Sequence, residues 1–333
     1  MQKHSNGKHN AAIYLLSSRV KLLEECLLHL YKNWNFQYDY PIYVHHFDNI
    51  YSEEFKNRVK NNISSKIYFH QIDYEVPSFI NETELFYNRK YLKYVRKSFS
   101  KKRLGYLHME HFVTNITSYG KTGCLVNELR QFDKLMRIDD ESYFKSKIEF
   151  DLFDVLDNYP FATGYTWSKY SYRELDTREN LWKFYKQYIS DKKIIPKSKI
   201  LEKAIKENDE KLMHDLKWSA GNLNLYNMNI FKNNEQWDNY LREINNSGGT
   251  YKHRWGDIEC IGLFGYTFFK TPIFDLKLKD KNLYNNKFPS IFSDIAPSVG
   301  ASFNLHNFLP LKWFSQIKNF IKKFIGKSTL KDD

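Results

Sequence analysis

Ala11-Ala12-Ile13-Tyr14-Leu15-Leu16, followed at once by Ser17-Ser18-Arg19, reads as a buried strand that ends in a polar turn. Six apolar residues are too few for a stable helix and suit a strand covered on both faces. Val20 to Trp34 then spaces Leu22, Leu23, Cys26, Leu27 and Leu30 along one stripe, which is the period of a helix. Pro41 to Phe47 is a second strand, and Lys66 to Ile72 a third. Between them Ser52 to Asn62 is a polar helix, with Ser52 as its cap and Glu53-Glu54 in its first turn. This alternation predicts an α/β fold built on a parallel sheet. Right-handed crossovers bring the strand-to-helix turns to one edge. Ligands bind at that carboxyl edge. Ser17, Ser18 and Arg19 lie there, either as contacts for a nucleotide base or phosphate or as an ordinary helix cap with a surface arginine.

Further along, Leu104 to Tyr119 reads as a core helix carrying Tyr106, His108, His111 and Phe112. The two histidines share one face, but nothing completes a zinc motif, so a structural role is favoured. Phe132 to Ile138 has strand character and runs into Arg137-Ile138-Asp139-Asp140-Glu141. Three carboxylates at a strand tip repel one another and persist most easily beside a cation. Hard carboxylate oxygens suit Mg²⁺ or Mn²⁺, which in turn grip phosphate oxygens. The competing reading is a solvated acidic turn or a helix N-terminus. A short helix over Phe150 to Leu156, a strand over Pro160 to Trp167, helices over Leu181 to Ile189 and Lys197 to Leu216, and a strand over Gly221 to Met228 follow. Asn234 to Asn246 is a helix that Ser247-Gly248-Gly249 stops.

The chain has 333 residues, enough for one large domain or two modest ones. With 42% hydrophobic residues, global disorder is excluded. A net charge of +12 favours anionic partners. The basic, tyrosine-rich stretch from Tyr87 to Arg103 permits a nucleic-acid face, though a solvated helix is the favoured reading and no nucleic acid is expected as partner. Three cysteines, Cys26, Cys124 and Cys260, are far apart and fit packed thiols in a reducing compartment. Residues 1–10 lack the apolar core of a signal peptide, and no run is long enough to span a bilayer. A cytoplasmic protein is expected, with peripheral attachment to a membrane as the alternative. Ser290 to Asn307 reads as linker, so the expected division is 1–289 for the main domain, 290–310 for the linker and 311–333 for a helix and tail. Within that tail, 311–327 sets Phe314, Ile317, Phe320, Ile321 and Phe324 against several lysines, a pattern suited to an anionic membrane surface.

The order of these pieces resembles glycosyltransferase family 15, the yeast-type α-1,2-mannosyltransferases. The likeness runs from about Ala11 to Phe268. It is carried by the opening strand, by Tyr106-Leu107-His108-Met109-Glu110-His111-Phe112, by Arg137 to Phe144, and by Phe161-Ala162-Thr163-Gly164-Tyr165. Its strongest part is Ser247-Gly248-Gly249-Thr250-Tyr251-Lys252-His253-Arg254-Trp255-Gly256-Asp257. The resemblance implies a GT-A glycosyltransferase fold, a Rossmann-like mixed sheet flanked by helices. It implies GDP-mannose as donor, a glycan acceptor, Mn²⁺ (or Mg²⁺) as cofactor, and retention of anomeric configuration. By position in the family motifs, Asp139 is the implied metal ligand, with Glu141 supporting. Tyr106 and Arg137 fall in donor-binding places. Asp257 would hold or deprotonate the acceptor hydroxyl, with Arg254, Trp255 and Tyr143 beside the acceptor. The family's candidate nucleophile, a Glu after Trp-Ser, is matched by Asn224, or by Asn222 if the gap moves. An amide is no carboxylate nucleophile, which implies a front-face displacement, another donor sugar, or a catalytically impaired relative. The family's C-terminal metal-binding His has no counterpart in 274–280, which leaves Asp280 or His306 to replace it.

Overall fold

The computed structural model describes residues 8–64, 66–86, 100–119, 127–167 and 180–285. The segments expected as a linker and as a basic C-terminal helix, Cys124, His306 and the side chains from Tyr87 to Arg103 lie outside the described residues.

The chain alternates strands and helices as its apolar periodicity requires. The strands are β1 (Ala11–Leu16), β2 (Ile42–His46), β3 (Ile67–Gln71), β4 (Lys134–Ile138), β5 (Tyr143–Phe144), β6 (Phe161–Thr163), β7 (Thr166–Trp167), β8 (Trp218–Ser219), β9 (Leu223–Asn227), β10 (Ile273–Asp275) and β11 (Tyr284–Asn285). The helices are α1 (Val20–Asn33), α2 (Glu53–Asn62), α3 (Ser100–Asn115), α4 (Leu181–Asp191), α5 (Lys199–Glu207), α6 (Glu235–Ser247), α7 (Gly249–His253) and α8 (Asp257–Phe268). Seven strands form one sheet in the order β10-β6-β9-β4-β1-β2-β3. β1, β2, β3 and β4 run parallel, and β9 runs antiparallel to both β4 and β6. The sheet is therefore mixed. One face packs on α1 and α2 through Ile13, Leu15, Leu23, Leu27, Phe55 and Met136. The other packs on α3, α4, α6 and α8 through residues such as Phe112, Tyr185, Trp237 and Phe264. Among the described residues no helix is long and apolar enough to cross a membrane.

Local chemistry sets the element ends. Ser52 accepts a hydrogen bond from the Phe55 amide at 3.2 Å, as a helix cap should. Asn234 caps α6 in the same way through the Trp237 amide, and Gly248 ends that helix at φ 68°. Three expected elements differ. Lys197 to Leu216 divides into α5 and a 3-10 turn over Glu210–Asp215, because Asn208 takes φ 53° and closes α5. Pro160 to Trp167 divides at Gly164 into β6 and β7, which belong to different sheets. Phe150 to Leu156 becomes a 3-10 helix over Leu152–Asp157, capped by Asp151.

One line of registered residues crosses the whole sheet: Asp275, Thr163, Asn224, Arg137, Tyr14, Tyr43 and Tyr68. Directly paired residues point to the same face of a sheet. Tyr14 and Tyr43 belong to the core on the α3 side, so the whole line faces that layer.

Candidate active site

The carboxyl ends of β1 and β4 meet the amino end of antiparallel β9. This junction gathers the acidic turn 139–141, the polar turn after β1 and the polar line across the sheet. Arg137 is buried at 7% exposure. Its Nη1 donates to Asp257 Oδ2 at 2.5 Å, and its Nη2 lies 3.0 Å from Asp139 Oδ1. Burial opposes its charge, yet Asp139 and Asp257 hold its pKa well above the usual guanidinium value. Arg137 is thus the tie between the acidic turn and the motif that ends in Asp257, two segments about 120 residues apart in sequence. It locks carboxylates, and both of these contacts must stand if it also meets a donor.

Each carboxylate of the turn has its own surroundings. Asp140 is buried and accepts from Ser17 Oγ at 2.6 Å and from Arg19 Nε at 3.1 Å, with a further short contact to Arg19 Nη2. Ser17 and Arg19, expected as direct contacts for a nucleotide, are turned onto this carboxylate, while Ser18 is exposed. Arg19 also reaches Glu141 at 3.2 Å. Asp139 accepts from Arg137 and, at 3.2 Å, from Asn222 Nδ2. The side chains of Asp139 and Glu141 stay partly open, at 27% and 22%. Burial raises the pKa of both, and the neighbouring acids raise it further, despite Arg137 and Arg19. Two accessible carboxylates short of positive charge are a donor set that fits a hard dication such as Mg²⁺ or Mn²⁺.

Asp280 does not join them. It is exposed in the turn between β10 and β11, and among the described residues it makes no hydrogen bond or ion pair. That turn closes locally through the Asn282 amide on the Lys279 carbonyl. Among the described residues a group of three metal-type ligands within 4.8 Å is formed instead by His9, Asp154 and Asp157. It sits at the amino ends of β1 and β4. Lys134 Nζ lies 2.5 Å from Asp157, and Lys8 lies 2.9 Å from Asp154. Two ammonium groups already neutralise this cluster, so it reads as a structural ion-pair network.

The Gly-Gly and Arg-Trp-Gly-Asp elements are shaped by one close approach. A Cβ on Gly249 would sit 2.0 Å from the Trp255 ring. The indole fills the space that only glycine leaves. Trp255 is 2% exposed and packs against Phe184 and His253. Trp255, expected beside the acceptor, is therefore enclosed by the protein, with almost no ring surface open to a sugar. Arg254 closes α7 at φ 57° and lays its guanidinium 4.6 Å above the Tyr106 ring. Tyr106, expected at the donor, belongs to this Arg254 pair and stands one helical turn from Glu110. Tyr143 lies on β5 with its ring edge-on to His29 at 5.3 Å, on the α1 side of the acidic turn. The structure does not bring it to Asp257.

Asn224 is opposite Arg137 in the sheet and 5% exposed. Its Oδ1 accepts a short hydrogen bond from Ser219, and its Nδ2 donates to the Gly221 carbonyl at 3.4 Å. A small cavity lined by Ser219, Asn224, Tyr226, Asp257 and Ile258 lies beside it. His108 donates to or accepts from the Tyr251 hydroxyl at 3.1 Å, and burial lowers its pKa to about 4, as suits a packed neutral imidazole.

Sequence reasoning passed over Glu110. It is buried at 4% on α3 and accepts the Asp257 backbone N–H at 2.9 Å. A carboxylate inside an apolar helix face was the available signal, since acidic residues are seldom fully buried without a partner.

Comparison with known proteins places this geometry. The profile of the family described as glycolipid 2-alpha-mannosyltransferase matches residues 1–270. A probable mannosyltransferase of Candida albicans, MNT3, is 32% identical over 130 residues, which is 39% of this chain and 32% of that protein. The chain thus matches about a third of that relative's length. Core-mannan synthase A from Aspergillus fumigatus, solved in a Mn/GDP form, superposes with a TM-score of 0.66 at 18% identity. The likeness covers 84% of this chain and 74% of that one. The mannosyltransferase Ktr4p from S. cerevisiae gives a TM-score of 0.63 at 17% identity, covering 84% and 71%. At such identities the two structures show a shared fold, the GT-A arrangement expected above.

Proposed function

The chain belongs to the glycolipid 2-alpha-mannosyltransferase family, and from that premise we propose that it transfers a mannosyl group from GDP-mannose to a glycan hydroxyl, with a divalent cation and with retention of configuration. The observation that carries this reading is the Arg137 bridge, which sets Asp139 and Asp257 on either side of one guanidinium. Donor handling and acceptor handling then meet at a single point of the sheet edge.

Asp139, supported by Glu141, would hold Mn²⁺ or Mg²⁺. When bound, the ion would offset the charge that gathers on the diphosphate oxygens as the glycosidic bond breaks. Asp257 takes the proton of the acceptor hydroxyl, and Arg137 keeps its carboxylate aimed. Asn224, held by Ser219 and Gly221, offers no carboxylate to attack the sugar carbon. Attack by the acceptor on the same face that the leaving group departs is the retaining route compatible with an amide there.

Asn224 also supports a second reading, a relative that binds the sugar nucleotide but transfers poorly. Thermal-shift measurements with GDP- and UDP-sugars, with and without Mn²⁺, test the donor class. Stabilisation by GDP-mannose that requires the metal is expected, and calorimetry of Asp139→Ala should lose that metal-dependent affinity. Unchanged Mn²⁺-dependent binding in the variant would remove Asp139 from the metal. Donor hydrolysis in the presence of Mn²⁺ separates the active enzyme from the impaired one.

A further inference from the structure

Glu110 and Asp257 come from α3 and α8 and meet in the interior, at 4% and 3% exposure. Glu110 Oε2 accepts the Asp257 amide at 2.9 Å. That contact does the work of a cap, because Gly256 brings no side chain to the first turn of α8. Through that contact the two buried carboxyl groups lie against one another. Two ionised carboxyl groups buried side by side repel one another, which favours the neutral acid at whichever of them lacks a cation. Asp257 has the Arg137 guanidinium 2.5 Å away, which favours its charge. Among the described residues Glu110 forms no ion pair, although the Arg254 charge is near enough to act on it.

The groups that face Glu110 point the same way. On α3 itself Tyr106 stands one turn before it, and Arg254, at the end of α7, lies across the Tyr106 ring. From α8 come Asp257, Glu259 and Cys260. Glu259 and Glu110 converge on Gly256, where an added Cβ would stand 2.5 Å from one carboxylate and 3.4 Å from the other. From β4, Arg137 acts through Asp257. Burial first, and Asp257 second, push Glu110 up to about 8.

We infer that Glu110 is a positioning residue: as a neutral carboxylic acid it donates to the Asp257 carboxylate, accepts its backbone N–H, and so fixes Asp257 against Arg137. The inference rests on the reading of Asp257 as the group that faces the acceptor hydroxyl. Loss of the Glu110 proton would set two like charges side by side and turn Asp257 away from its aim.

Two measurements on the full chain test this. Infrared difference titration without substrates should show a protonated-carboxyl band that vanishes near pH 8 and is missing from Glu110→Gln. A band of unchanged size in that variant, or none in the parent at neutral pH, overturns the inference. In mannosyl transfer, Glu110→Leu should lose roughly 10- to 100-fold in kcat with the donor KM unchanged, the scale set by a misplaced catalytic group. Glu110→Gln, which keeps a neutral donor of the same shape, should recover most of that loss and move the alkaline limb of the rate profile upward. An unmoved limb overturns the positioning role. A clean infrared result in a chain that transfers nothing would instead fault the mannosyltransferase reading and leave the proton pair standing.

Discussion

Replacing Arg137 by methionine keeps the length of the side chain and removes its charge. The consequence follows from the two contacts at 2.5 and 3.0 Å, both inside a structure where Arg137 is 7% exposed. Breaking a buried ion pair from one side costs about 3–5 kcal/mol, because the remaining carboxylate stays desolvated without its partner. Asp257 is as deeply buried as Arg137, whereas Asp139 is partly open, so the loss should fall within that range and not at twice it. For a fold of this size, about 2–4 °C of melting temperature per kcal/mol gives a drop of roughly 6–20 °C at neutral pH. The pH dependence has a definite sign. Asp139 is already raised by burial and by Asp140 and Asp257, and Arg137 is what holds it down. Without the guanidinium its folded-state pKa rises further above the unfolded value. The native state then keeps a proton that the unfolded chain has released, so stability is lost as pH rises through that interval. Urea unfolding of parent and variant at pH 7 and at mildly acidic pH measures the difference. The penalty should be larger at pH 7. A penalty below about 1 kcal/mol, or one equal at both pH values, would show that Arg137 is not the electrostatic tie described above.

Two more outcomes are open to direct measurement. Asp257→Asn should lower the transfer rate by about 100-fold or more, the usual contribution of a general base, while metal-dependent nucleotide binding by calorimetry stays near the parent value. Gly249→Ala should lower the urea midpoint by an amount equivalent to about 1–3 kcal/mol, since the new methyl group meets the Trp255 ring in a packed core. A parent-like midpoint would mean that the ring can move aside.

The β–α–β opening was legible because apolar runs and a helical stripe need no tertiary information. Ala11–Leu16, Val20–Asn33 and Ile42–His46 stand where periodicity puts them. The cap at Ser52 and the stop at Gly248 were equally local signals. Element interiors with a hidden break were not legible. Asn208 and Gly164 interrupt runs whose composition looks continuous, and the interruption is decided by backbone conformation and by packing on Leu223. In the site, family likeness brought out Asp139 and Asp257, yet no spacing rule says that Arg137 links them. Trp255 misled because an aromatic beside Arg and Asp looks like a sugar platform; only the facing Gly249 reveals that its ring is used as filling. Glu110 was hidden by its setting on a core helix, where its partner is an amide 147 residues away.

The polar line from Asp275 to Tyr68 has a bearing on assembly as well as on chemistry. A slip of β9 by one position would carry Leu223 or Leu225 opposite Arg137 and swing Asn224 to the far side of the sheet. The guanidinium would then face hydrocarbon, while an amide would intrude among Met136 and Ile138. Misaligned chains are thereby penalised at residues to which the proposed function assigns the reaction. Under that proposal one set of side chains also proofreads strand alignment, so sequence drift at Arg137 or Asn224 would be felt first by the newly made chain.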